Sequence, residues 1–373
     1  MIEKIEKTET IDIINYGFTS NMMPPDNMQG VPARVTAAHK DRYELICEYG
    51  VCSGVLKTGV YYGVGDKDKP EEFPTVGDFV LITYNQIGDS QIIKTLERKS
   101  KFARNDFSGH SAGYVKTVLE QVVAVNFDYV FILQSLNNDL NIKRLERYLT
   151  LAWQSGAIPA VILTKTDLID DYAEPLREVE KAVAGVGVFA VSAKTGFGLD
   201  TLDEYLKPKK TVVFLGSSGV GKSSLLNALA EEDIMAVNVT RNVDESKGRH
   251  TTTHRQLIML KSGVMIIDTP GMRELGMWDS SEGIGKMFSD VEEYFGRCKF
   301  TDCKHGSEPG CALKAALESG ELPYNRWESY LQIKRETRFA DDKGAYYRNQ
   351  KEQAKRWAKE AKSGRKNPGG RKR

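Results

Sequence analysis

The tightest constraint on what this chain can fold into is a single short loop. Gly216-Ser217-Ser218-Gly219-Val220-Gly221-Lys222-Ser223 follows the apolar run Val212–Leu215 and precedes Ser224-Leu225-Leu226-Asn227-Ala228-Leu229, which reads as a helix. This is G-x-x-x-x-G-K-[ST] in the strand–loop–helix setting that the motif requires. Its glycines let successive backbone N–H groups turn inward around phosphate oxygens, and the helix N-terminus adds a partial positive charge. Lys222 is placed to reach the β- and γ-phosphates of a nucleotide, and the Ser223 hydroxyl to ligate Mg²⁺.

The surrounding pattern agrees with that setting. Tyr129–Leu133, Ala160–Leu163, Val188–Val191, Val212–Leu215 and Val264–Ile267 read as apolar strands. Between them Asn141–Gln154, Ala173–Val183 and Lys222–Ala230 read as helices, the first with Leu145, Leu149 and Trp153 on one face. Alternation of this kind predicts an α/β domain with a largely parallel sheet covered by helices. Upstream, Val31–Ala37, Tyr43–Cys47, Gly54–Tyr62, Phe79–Tyr84 and Ser90–Leu96 are β-rich and broken by Gly, Asp and Pro turns. Short strands at that spacing fit a small closed barrel such as an OB-fold. The expected division is a loosely held leader at 1–29, a barrel at 30–100, the α/β domain at 101–275, a metal-bearing helical domain at 276–342 and a basic tail at 343–373.

At 373 residues the chain is too long for one ordinary domain, and 40% apolar content is enough for packed cores. Its net charge of +1 conceals an asymmetry. Residues 343–373 carry twelve Lys/Arg against Glu352 and Glu360, a local +10, which leaves 40 basic and 49 acidic residues, or −9, elsewhere. A basic tail on an acidic body suggests a polyanionic partner. Apolar runs are too short for a membrane span, and the first residues lack the apolar core of a signal peptide. A soluble, cytoplasmic, monomeric protein with no membrane partner is therefore expected.

A phosphate loop needs a carboxylate for the metal's water shell, and Val264-Met265-Ile266-Ile267-Asp268-Thr269-Pro270-Gly271 supplies Asp268 at a strand end. Gly271 can bring its N–H against a γ-phosphate, and Gly248-Arg249-His250-Thr251-Thr252-Thr253 offers a second hydroxyl for Mg²⁺, with Thr252 favoured among its neighbours. Thr164-Lys165-Thr166-Asp167 distinguishes the purine. An acid there accepts from guanine N1–H and N2–H₂, while adenine offers no such pair and would leave the carboxylate unsatisfied. The Lys165 stem can lie along the base, and Ser192-Ala193-Lys194 would present the Ala193 N–H to guanine O6. Thr164 stands where most GTPases use Asn, a change expected to weaken the bracing of this loop.

These base-reading elements precede the phosphate loop, the reverse of the usual order, so the sheet is circularly permuted. With Gly248–Thr253 and Ala124-Val125-Asn126-Phe127-Asp128, the whole chain from about residue 30 resembles the RsgA (YjeQ/YloQ) family of ribosome-small-subunit-dependent GTPases. The resemblance implies an N-terminal OB-fold, a permuted GTPase domain and a C-terminal zinc domain. It also implies late maturation of the small ribosomal subunit as the task, rRNA as the partner, and hydrolysis of GTP to GDP stimulated by the ribosome.

Cys298, Cys303, His305 and Cys311 fall within fourteen residues. Three thiolates and an imidazole suit a closed, structural Zn²⁺ site, and the spacing agrees with the zinc motif of the resembled family. Cys47 and Cys52 read as small apolar residues of the barrel. Met272 occupies the position where many GTPases place a water-orienting Gln, so His250 is the candidate for that role. From residues alone the partner is RNA or another polyanion, given the barrel, the zinc module and a tail that interleaves Tyr346, Tyr347 and Trp357 with Lys/Arg.

Overall fold

The structure is a computed structural model and describes residues 11–24, 28–39, 41–62, 72–106, 119–137, 140–183, 185–234, 256–268, 281–306 and 308–337. The first sheet segment is a barrel of β1 (Val31–Ala38), β2 (Tyr43–Cys47), β3 (Gly50–Leu56), β4 (Phe79–Thr83) and β5 (Ser90–Thr95). The strands run β1-β2-β3-β5-β4, and β4 pairs back onto β1 to close the ring. Only β3–β5 is parallel. Alternate side chains fill the barrel with Ala33, Val35, Leu45, Cys47, Val80, Ile82 and Ile92. Gly54 lies at the tightest point: a Cβ there would come within 2.5 Å of Leu45 Cδ1.

Two details differ from the expected pattern. The third strand runs from Gly50 to Leu56, and Thr58–Tyr61 forms a helical turn, α1, in place of continued strand. Burial decides this against the β-propensity of Val60-Tyr61-Tyr62: the turn drops Tyr61 into the barrel end, 1% exposed, with its hydroxyl 2.9 Å from Thr95 Oγ1. The described part of the leader is packed rather than loose. Asp12 caps a 3₁₀ turn at Ile13–Tyr16, Phe18 meets Phe79 edge-on at 5.6 Å, and the Ile11 N–H donates to Glu48 O.

After the barrel, β6 (Lys101–Asp106) and β7 (Leu119–Val125) form an antiparallel pair that the sequence pattern did not reveal. The α/β domain follows: β8 (Tyr129–Ser135), α2 (Ile142–Gln154), β9 (Ile158–Thr164), α3 (Ala173–Ala182), β10 (Gly187–Ala190), β11 (Thr211–Leu215), α4 (Lys222–Ala230), β12 (Gln256–Met259) and β13 (Met265–Asp268). Strand order is β10-β9-β8-β11-β13-β12, all parallel except β12. Asn141 starts α2 by accepting from the Arg144 N–H at 2.9 Å. Val213 and Leu215 face the α2 and α3 side, and Val212 and Phe214 the α4 side, the period-two alternation of a sheet covered on both faces. β12 also pairs with β1 of the barrel, so eleven strands form one continuous sheet.

The C-terminal part packs on α2. α5 (Ser281–Met287) lies so close that a Cβ on Gly283 would be 2.3 Å from Thr150 O, and the Gly283 N–H donates to Gln154 Oε1. α6 (Ser289–Glu292), α7 (Ala312–Ser319) and helical residues 324–337 complete it. Arg326 fastens these pieces: it donates to Glu146 on α2, to the Ala182 and Met287 carbonyls and to both oxygens of Asp290, with its guanidinium 4.3 Å from the Phe288 ring centre.

Arg34 does the same on the barrel side. It is 1% exposed and donates to Tyr16 O, Gly77 O, Asn126 O, Thr211 Oγ1 and Met265 Sδ. Replacing it with Met keeps the bulk but strands several buried acceptors, which should cost about 3–5 kcal/mol. Urea unfolding of Arg34→Met measures this, and a loss under about 1 kcal/mol would contradict the account.

Candidate nucleotide site and metal centre

Parallel strands deliver their C-terminal ends to one edge of the sheet, and the chemistry-bearing loops all leave from that edge. The loop 216–221 joins β11 to α4. Gly216 cannot be anything larger, because a Cβ would sit 2.8 Å from Leu133 O at the end of β8. Gly221, at φ +106°, takes the left-handed conformation that opens α4. Lys222 Nζ donates to Gly216 O and Ser217 O, both at 2.7 Å, which holds the ammonium over the loop. Gly216 and Val220 are buried, Ser218 and Gly219 are exposed, and Ser223 and Ser224 are half-buried in the first turn of α4. This arrangement could hold a nucleotide's phosphates on backbone N–H groups and the lysine, with the Ser223 hydroxyl beside the metal.

Asp268 is the last residue of β13. Burial pushes its carboxyl up from the ordinary range, while the nearby Lys222 charge pulls it down. Such a half-buried acid gains most from a cation, so Asp268 suits the water shell of Mg²⁺. His250, Thr251, Thr252, Thr253 and Thr269-Pro270-Gly271 lie outside the described residues.

The candidate base-reading residues follow β9. Lys165 adopts φ +61°, and Thr166 and Asp167 begin a 3₁₀ turn. The Ser192 hydroxyl donates to Asp167 Oδ1 at 2.7 Å, and the exposed Lys194 Nζ stands 4.0 Å from Asp167 Oδ2. Ser192 is in turn fixed by its N–H to Phe197 O at 2.9 Å, so Ala193 sits within a closed loop. Asp167 therefore arrives with one oxygen already oriented, a pre-organisation that lowers the cost of engaging a ligand.

Thr164 departs from the expected weakening. Its hydroxyl donates to Val220 O at 2.6 Å, and it is 4% exposed. The shorter side chain thus joins the base loop directly to the phosphate loop. Gln134, which pattern reading missed, supports the same junction. It is fully buried, its side-chain amide accepts from the Asn141 N–H at 2.7 Å and donates to Asn141 O at 3.2 Å, and its backbone carbonyl lies 3.3 Å from Thr164 Oγ1. The available signal was a polar residue next to the end of an otherwise apolar strand.

In the C-terminal part the four candidate ligand atoms lie within 4.8 Å of one another. His305 Nδ1 is 3.5, 3.7 and 3.6 Å from the sulfurs of Cys298, Cys303 and Cys311, and the sulfurs of Cys298 and Cys311 are 3.9 Å apart. Zn–S and Zn–N bonds of about 2.3 and 2.0 Å in a tetrahedron place ligands about 3.5–3.8 Å apart, so this set fits Zn²⁺ with no position left for substrate. Phe295 stacks on the His305 ring at 4.5 Å and touches Trp327 and Tyr330, which links the cluster to helix 324–337.

The sequence model of the RsgA GTPase family matches residues 95–278. Small ribosomal subunit biogenesis GTPase RsgA 2 of Listeria monocytogenes is 44% identical over 86% of this chain and 88% of its own length. Its namesake from Methanosarcina acetivorans is 40% identical over 81% of this chain and 79% of its own. Among solved structures, YjeQ from Thermotoga maritima has a TM-score of 0.57 at 26% identity, covering 82% of this chain and 97% of its own. YloQ, described as a circularly permuted GTPase, has a TM-score of 0.56 at 25% identity, covering 85% and 98%.

Thr164→Val preserves shape and removes the hydroxyl. It should weaken GDP binding by about 2–10-fold, the worth of one hydrogen bond, while Thr164→Asn should lose less; titration calorimetry measures both. A strong chelator should release about one equivalent of zinc and lower the melting temperature of the C-terminal part. Retention of the full melting profile after metal loss would remove the structural role.

Proposed function

The chain belongs to the RsgA family of GTPases and hydrolyses GTP, and we propose that it does so while maturing the small ribosomal subunit, to which it binds through rRNA. The observation that carries this reading is the joining of Asp167, Thr164 and the Gly216–Ser223 loop into one braced site by the 2.6 Å bond to Val220, in a chain whose relatives are named for biogenesis of that subunit. The barrel, the zinc module and the +10 segment at 343–373 support RNA as the contacted surface, and a ribosomal partner implies the cytoplasm.

In this site Asp167 accepts two hydrogen bonds from the guanine edge, and Lys165 covers the base. The 216–221 backbone and Lys222 take the phosphate charge, so the leaving diphosphate is stabilised as the terminal bond lengthens. Ser223 and Thr252 would hold Mg²⁺, which would supply positive charge to the phosphates, and Asp268 would orient its water shell. Gly271 would donate to the γ-phosphate. Met272 has no group that can orient water, so His250 takes that part from the Thr segment and intrinsic turnover is slow. A ribosomal partner then completes the site and raises the rate.

GTP turnover with and without purified small subunits tests the reading. Stimulation of at least tenfold by subunits, and not by polyuridine or heparin at equal phosphate, is expected. Equal rates under all conditions would overturn it. Subunit binding should fall steeply with added salt. His250→Ala should lower stimulated turnover by tenfold or more with GDP affinity nearly unchanged, and equal loss of both would remove its proposed role.

A further inference from the structure

β1 belongs to two structures at once. Its first half, Val31–Arg34, pairs with β4 and closes the barrel. On that same edge its second half meets β12, with Ala37 opposite Gln256. The change of partner occurs at a bulge between Val35 and Ala37, the kind of irregularity that re-aims a strand. Ala38 packs against both the barrel core and the GTPase core. Arg34, four residues earlier, ties the same strand to Thr211 on β11 and Met265 on β13.

β12 begins at Gln256, three positions after the end of Thr251-Thr252-Thr253 in the sequence. Its first residue, Gln256, is opposite Ala37 on one side and Asp268 on the other. A row of paired residues therefore runs from the metal-directed carboxylate, through the strand that anchors the Thr segment, to the barrel. Without β1 the outer edge of β12 would be an open sheet edge. Occupied as it is, that edge cannot shift without moving the barrel strand, and the reverse holds equally.

We infer that β1 is the positioning element through which a ligand on the barrel acts on GTP turnover, by fixing β12 and hence the downstream anchor of the Thr segment. The identity of that ligand rests on the ribosomal reading above; the link between barrel and nucleotide does not. Linkage makes the affinity part of the effect reciprocal: the nucleotide bound must alter affinity for the barrel ligand by the same factor with which that ligand alters nucleotide affinity.

The variant that isolates the link is Ala38→Pro. The His39 N–H donates to Arg42 O at 2.8 Å, closing the β1–β2 hairpin. Alternation in an antiparallel ladder then turns the Ala38 N–H away from β2, to the side where β12 lies. Proline removes that donor and leaves the barrel ladder intact, while Ala38→Val keeps the donor. Ala38→Pro should retain its circular dichroism, its GDP affinity and its basal turnover within about threefold, bind small subunits, and lose at least tenfold in stimulation. Ala38→Val should be stimulated like the parent. A folded Ala38→Pro protein stimulated as fully as the parent overturns the inference, whereas a parent that subunits fail to stimulate overturns the ribosomal reading instead. Hydrogen exchange on the unmodified protein tests the link with no partner and no variant. Peptides spanning 31–38 should exchange at least threefold differently with GDP and with a slowly hydrolysed GTP analogue, and identical exchange overturns the inference.

Discussion

A guanidinium with almost no access to water holds this molecule's parts in register. Taking such a charge out of water costs several kcal/mol unless every donor is satisfied. Arg34 meets that condition only where leader, barrel, the turn before β8, β11 and β13 converge, because each supplies one acceptor. Burial lowers its pKa to about 10, with Asp128 and Asp78 opposing the shift, so it stays charged at neutral pH. Separating barrel from GTPase domain would leave that charge and its acceptors unpaired together. The neighbouring ions strengthen the seam. Burial alone would raise Asp128, yet Lys99, Lys210 and the Thr211 N–H hold it below the usual carboxylate range.

Arg326 is the counterpart at the other flank. It sits over Phe288 and gathers carbonyls and carboxylates from α2, the end of α3, and the α5–α6 region. The phosphate loop thus occupies a sheet held from both sides by planar, multiply bonded cations. Arginine suits both positions because its rigid fork can satisfy several acceptors with one side chain.

The strand ends that bring the candidate site together were legible in the sequence because short-range chemistry dictates them. Gly216, Gly221, Lys222 and the Asp167 motif have spacing rules that tertiary context does not alter, and so do the candidate ligands Cys298, Cys303, His305 and Cys311. What stayed hidden depended on contacts between distant residues. Tyr61 left the strand pattern because a barrel end needed filling. β12 has only four residues, too few to show a period, and it is defined by β13 and β1 on either side. Thr164 was judged by comparison with the usual Asn. Its bond to Val220 spans 56 residues of chain, and no local pattern encodes that distance. Nothing in the local sequence singles out Arg34 or Arg326; the fold buries one and encloses the other.

The seat of α5 on α2 has a consequence of its own. Gly283 rests so near the Thr150 carbonyl that only a hydrogen atom fits between them. Contacts at that spacing do not yield by degrees: a slide of one ångström along the helix would drive neighbouring side chains into backbone. The end that carries the Cys/His cluster can therefore be seated or unseated on the GTPase domain, but it has no intermediate stops, and its behaviour should be that of a latch and not a spring.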